Sequence, residues 1–155
     1  MGFSASPLVV GSIVIVYAGG PTDKGVIALD VETGAARWSA AAGADSYGSP
    51  QAATIGGESL VLMLSNDGLT AMDPGSGMNR CTYSWPIANY RALQPLAAGD
   101  DTFLLPTPMN AGTRAIRVRP EVGCPLGTLA AHARCQHRVF GRNRRHPWPV
   151  RSQAP

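Results

Sequence analysis

Short apolar runs, each broken by glycine, proline, asparagine or aspartate, recur along most of the chain. Runs of that length with β-branched residues and turn-formers at their ends predict strands. The first group is Pro7 to Val10, Ile13 to Tyr17, Val26 to Asp30 and Ala35 to Ala40. The second is Gln51 to Ile55, Ser59 to Ser65, Leu69 to Asp73 and Asn79 to Trp85. A third group begins at Gln94-Pro95, runs through Thr102 to Leu105 and resumes from Thr113 to Val118. Gly11-Ser12, Gly56-Gly57, Asn66-Asp67-Gly68 and Gly99-Asp100-Asp101 supply the turns. Pro106 and Pro108 are predicted to end the strand before them.

The stretch from Gly25 to Trp38 reads as a hairpin with its turn built in. Asp30 closes an apolar run, and its carboxylate can accept from backbone N–H groups just downstream. Thr33 adds a hydroxyl, and Gly34 suits a positive φ, as a type I turn with a following bulge requires. Trp38 falls on the returning strand and is expected to be mostly buried. The pattern returns 43 residues later in Ala71, Asp73 and Gly77, with Ser76 in place of Thr33. Ser6-Pro7 recurs as Ser49-Pro50, then as Gln94-Pro95, and Ala115-Ile116 echoes Ala71-Met72. A repeat near 43 residues made of short strands predicts β-propeller blades.

Composition agrees with an all-β chain. Glycine (18) and proline (13) are abundant, and only 15% of residues are charged. Charge divides the chain in two. Up to Thr113 four basic residues face nine acidic ones, a net −5, whereas from Arg114 nine arginines face one glutamate, a net +8. Cys81, Cys124 and Cys135 form no CxxC pair, so neither a disulfide framework nor a zinc site is indicated. The longest apolar stretch, Leu8 to Ala18, is interrupted and too short to span a bilayer as a helix. No signal peptide is visible.

Ala28, Asp30, Thr33, Gly34 and Trp38 fit the pattern A-x-D-x-x-T-G-x-x-x-W. The pattern resembles the tryptophan-docking repeat of quinoprotein-like (pyrroloquinoline-quinone-type) β-propellers. That family includes quinone-dependent alcohol dehydrogenases and the non-catalytic propeller lipoprotein of the outer-membrane β-barrel assembly machinery. The resemblance spans roughly residues 4 to 118. The second repeat departs at Ser76 and at Cys81, where tryptophan is expected, with Trp85 a shifted replacement. The third carries Arg117 in place of aspartate and lacks the Thr-Gly pair. The adjacent cysteines found near the cofactor in the dehydrogenases are absent, and no calcium set is identifiable, so no catalytic residue carries over.

Each polar candidate has a simpler structural reading. Asp30 and Asp73 read as turn caps rather than metal ligands or catalytic acids. Trp38 reads as packing between blades rather than a cofactor platform. Tyr47 and Tyr90 lie near the starts of successive blades and are read as blade packing before channel lining. Asp100-Asp101 are neighbours whose side chains diverge, which disfavours a shared proton or metal. His132, Cys135 and His137 do not complete a tetrahedral set. Arg142 to Arg145 with Trp148 offer phosphate contacts and stacking, but a solvated tail is the preferred reading.

The expectation is a partial β-propeller of two four-stranded antiparallel blades and most of a third, at about 6–40, 49–85 and 94–118 within residues 1–120. An irregular Arg/Pro-rich tail, residues 121–155, follows; it is read as disordered or as non-native sequence, with a short helix from Leu126 to His137 as a possible exception. Propellers close with roughly 4–8 blades, so the chain is read as a fragment of a longer parent whose missing blades are partners. The resemblance implies a non-catalytic protein-interaction scaffold in the periplasm or cell envelope, with no catalytic, cofactor or metal residue. The alternative is a fragment of a quinone-dependent dehydrogenase without an assembled cofactor site. Nucleic acid is the weaker partner, resting on charge alone.

Overall fold

The computed structural model describes residues 4–20, 25–88, 91–107 and 112–118. They form eleven strands in three antiparallel sheets, with no helix among the described residues. The first sheet is β1 (Leu8–Val10), β2 (Ile13–Tyr17), β3 (Val26–Asp30) and β4 (Ala36–Ala40), paired in that order. The second is β5 (Gln51–Ile55), β6 (Glu58–Ser65), β7 (Gly68–Met72) and β8 (Asn79–Ser84), again in chain order. The third holds β9 (Leu96–Ala97), β10 (Thr102–Pro106) and β11 (Thr113–Arg117). A run of up-and-down sheets, each made from consecutive strands, is the architecture of a partial β-propeller.

Alternation within strands decides how the sheets stack. In β6, Leu60, Leu62 and Leu64 join Phe103, Leu105, Ile116 and Val118 in a core shared with the third sheet. The intervening Val61 and Met63 join Ile15, Tyr17, Val26 and Ala28 in a core shared with the first. The second sheet therefore buries both faces and β7 is buried throughout. Its near-continuous apolar sequence follows from having a sheet on each side.

The strand starts converge as well. Ser6 N donates to Ser49 Oγ at 2.7 Å, and Gln94 Nε2 lies 3.3 Å from the carbonyl oxygens of Ser49 and Pro50. The three x-Pro segments that recur in the sequence are thus neighbours along one edge of the stack.

Trp38 is mostly covered, as expected, and two details differ from the sequence reading. β10 runs one residue past Leu105 and ends at Pro106, which pairs opposite Thr113; a missing N–H is tolerated at a strand end. The hairpin loops also carry one residue more than a type I turn. Gly34 N donates to Asp30 O, and Gly77 N to Asp73 O, each four residues back at 2.9 Å. The proposed short helix in the tail and Tyr90 lie outside the described residues.

Candidate functional site

The two hairpin turns are built alike. Asp30 Oδ1 accepts from the backbone N of Glu32 (3.2 Å) and Thr33 (2.9 Å) and from Thr33 Oγ1 (2.8 Å). Asp73 Oδ1 accepts from Gly75 N (3.1 Å), Ser76 N (2.8 Å) and Ser76 Oγ (2.7 Å). Gly34 and Gly77 follow at φ 70° and 72°. These bonds hold the longer loop closed.

The returning strands then each carry an extra residue. Ala28 pairs with Trp38 and Leu29 with Ala36, so Arg37 bulges; Ala71 pairs with Cys81 and Met72 with Asn79, so Arg80 bulges. Each bulged arginine turns back to its turn aspartate, Arg37 at 2.6 Å from Asp30 and Arg80 at 3.6 Å from Asp73. The Arg37 guanidinium, then the Thr33 bonds, hold the Asp30 carboxyl far below the usual range against an opposing desolvation cost. The Ser76 hydroxyl is the main cause of the lowering at Asp73, with Arg80 assisting and burial opposing. Both aspartates are thus engaged inside their own hairpins. The sequence reading missed the arginines, although their 43-residue spacing was visible.

Trp38 links the first sheet to the second turn. Its indole N–H donates to Pro74 O at 2.9 Å. The ring lies on Gly77: a Cβ there would come within 2.5 Å of Trp38 Cε3. Gly34, the equivalent position of the first turn, has nothing within 4 Å of its Cβ direction.

Trp85 does not replace Trp38 in the second repeat. Cys81 holds that register position, opposite Ala71, as a buried free thiol, and burial pushes its pKa up. Trp85 instead lies beyond β8, where the Arg91 and Arg114 guanidinium carbons stand 4.4 and 4.1 Å from its ring centroid. Arg91 is fully buried and donates from Nη2 to Trp85 O. Its Nε and Nη1 have no acceptor among the described residues. Burial, and then the like charge of Arg114, lowers its pKa. Arg114 Nη1 lies 3.1 Å from the Tyr83 hydroxyl. This cation–π cluster ties the second and third sheets together. A lone arginine in the sequence gave no sign of it.

Among the described residues an open concavity lies at the converging strand starts. A cavity of about 420 Å³ is lined by Ser6-Pro7-Leu8, Ser49-Pro50 and Ala92-Leu93-Gln94. Its walls offer hydroxyls, an amide, backbone carbonyls and proline rings, and the lining side chains carry no charge. Tyr47 lies half-buried beside it, its backbone N donating to Arg91 O at 2.8 Å. Asp101 lies elsewhere, 3.4 Å from Arg117 and accepting from Thr102 Oγ1 at 2.9 Å. Among the described residues no three His, Cys, Asp or Glu side chains gather as a metal site, and no helix is long and apolar enough to cross a membrane. His132, Cys135, His137, the Arg142 to Arg145 run and Trp148 lie outside the described residues.

Repeated four-stranded sheets stacked face to face and joined by a tryptophan on the next sheet's turn define a PQQ-type β-propeller repeat segment. Residues 2–102 match the family described as outer membrane protein assembly factor BamB, and the chain belongs to that family. Comparison with curated proteins and with solved structures returned no match.

Proposed function

We propose that the chain is a non-catalytic propeller repeat segment acting as a protein-interaction scaffold in the bacterial cell envelope, in the periplasm. The observation that carries the reading is the uncharged cavity at the strand starts. Membership of a family described by outer membrane protein assembly supports the compartment and the kind of partner. Strands of outer-membrane barrels alternate apolar and polar residues over about ten positions. An extended segment of that kind would meet hydroxyl and amide groups at Ser6, Ser49 and Gln94, and proline rings between them. Within this reading Ala28, Asp30, Thr33, Gly34, Trp38, Ala71, Asp73, Ser76 and Gly77 are structural, not catalytic. Residues 1–120 form the propeller segment, and the Arg/Pro-rich residues 121–155 are a separate tail.

The test is titration of the full chain with a ten-residue peptide of alternating apolar and polar residues, read by isothermal calorimetry. Saturable binding, lost in Leu93→Asp at the cavity rim, is the expected result. No heat up to about 1 mM peptide, the weak end of specific recognition, would refute the assignment of this cavity.

A further inference from the structure

At the joint between the second and third sheets two like charges meet on one ring. The Arg91 and Arg114 guanidinium carbons stand 4.4 and 4.1 Å from the Trp85 ring centroid. Ion pairs among the described residues engage other arginines: Arg37 with Asp30, Arg80 with Asp73 and Arg117 with Asp101. Arg91 and Arg114 have no carboxylate partner among the described residues. Within those residues the cluster therefore carries two positive charges and no compensating negative one.

Arg91 has no exposed surface, and an arginine keeps its proton inside proteins. Its Nη2 donates to Trp85 O, whereas Nε and Nη1 have no acceptor among the described residues. A charge taken out of water is stable only when it is paired and its N–H groups are bonded. The indole face attracts both cations but leaves those N–H groups without an acceptor oxygen. Burial, and then the nearby Arg114 charge, work against the charged form of Arg91. Arg114 Nη1 lies 3.1 Å from the Tyr83 hydroxyl, which holds that guanidinium at the cluster. Arg114 is half-buried, so it is the member of the pair that solvent reaches.

The missing charge and the missing acceptors together define a ligand. A water molecule would accept the N–H bonds and leave the charge unbalanced. Chloride would balance one charge without directional acceptors. A small oxyanion does both, and charge-assisted bonds from a guanidinium to its oxygens are strong ones. The full enclosure of Arg91 admits a free ion rather than a segment of another macromolecule. We propose that the joint between the second and third sheets binds a small divalent oxyanion of the sulfate or phosphate class, held by Arg91 Nε and Nη1 and by Arg114. The ion turns a repulsive pair into a bridge between sheets, because Arg91 follows β8 of the second and Arg114 lies on β11 of the third. The site is separate from the strand-start cavity and stands whether or not that cavity takes a peptide.

Titration of the full chain with sodium sulfate tests it, with sodium chloride holding the ionic strength constant. The reporter is the Arg91 Nε–H resonance in proton–nitrogen spectra, assigned from its own backbone amide. Sulfate should shift it saturably, with half-saturation below about 1 mM. Phosphate titrated in parallel separates the two sources, the ion with the lower half-saturation being the ligand. Arg114→Gln should keep its strand signal in circular dichroism and raise the half-saturation at least about tenfold, the loss expected for one charged hydrogen bond. If that variant loses strand signal, Arg114→Lys, which keeps the charge but not the planar fork, should still weaken binding. A resonance that ignores both oxyanions, that moves equally with chloride, or whose half-saturation is unchanged in the folded Arg114 variant would overturn the proposal.

Discussion

Asp30 and Asp73 each gather their own turn and the arginine that bulges from the returning strand. Both carboxyls are held below the ordinary range in the fold. A depressed carboxylate contributes stability that is complete above its unfolded pKa, near 4, and is lost as pH falls through the lower folded value. Urea melts from pH 7 downward should therefore keep their midpoint to about pH 4 and fall below it. In Asp30→Asn with Asp73→Asn the acid-side decline should flatten. An unchanged decline would mean other groups carry it.

The glycines of the two turns separate strain from contact. Both sit at positive φ, where a Cβ costs about 1–2 kcal/mol. Only Gly77 also lies under an indole. Gly34→Ala should cost about 1 kcal/mol in denaturant melts. Gly77→Ala should cost clearly more and red-shift Trp38 fluorescence as the ring is displaced. Equal costs would show that the Trp38 contact contributes nothing. Trp38→Ala, which removes the indole packed on Gly77 and bonded to Pro74 O, should cost about 3 kcal/mol, the low end for a large aromatic.

At the scale of elements, the joint between the second and third sheets depends on Trp85, which is 7% exposed and stacked with Arg91 and Arg114. Trp85→Ala should cost about 3–5 kcal/mol. Amide exchange should speed up first in β10 and β11, while β2 and β3 keep their protection. Uniform acceleration across all sheets would instead indicate one cooperative unit.

The hairpins were legible because local chemistry determines them. Val, Ile and Leu runs, turn glycines and the Asp-x-x-Thr-Gly spacing each act within a few residues. What was not legible depends on contacts between sheets. Arg91 looks like any surface charge until a neighbouring sheet buries it. Trp85 seemed a displaced copy of Trp38, yet the ladder register gives that position to Cys81. The cavity at Ser6, Ser49 and Gln94 was visible only as repeated x-Pro pairs, since the sequence does not say that the pairs converge.

In the molecule as a whole, consecutive repeats stack face to face, and Trp38 fastens the first to the second. The middle sheet, buried on both faces, should be the most protected part, and the outer faces of the first and third sheets the least. The pattern of burial along β6, with alternate side chains assigned to opposite cores, has no other source than a sheet on each side. This stacking is also what makes the strand starts converge into a cavity, so the functional proposal depends on it.

The most direct test is a nuclear Overhauser measurement between the Trp38 indole ring and the Gly77 α-protons. Face-to-face stacking of the first two repeats predicts strong cross-peaks, with the indole N–H protected from exchange by its bond to Pro74 O. A Trp38 ring with no cross-peaks to Gly77 and a freely exchanging N–H would contradict it.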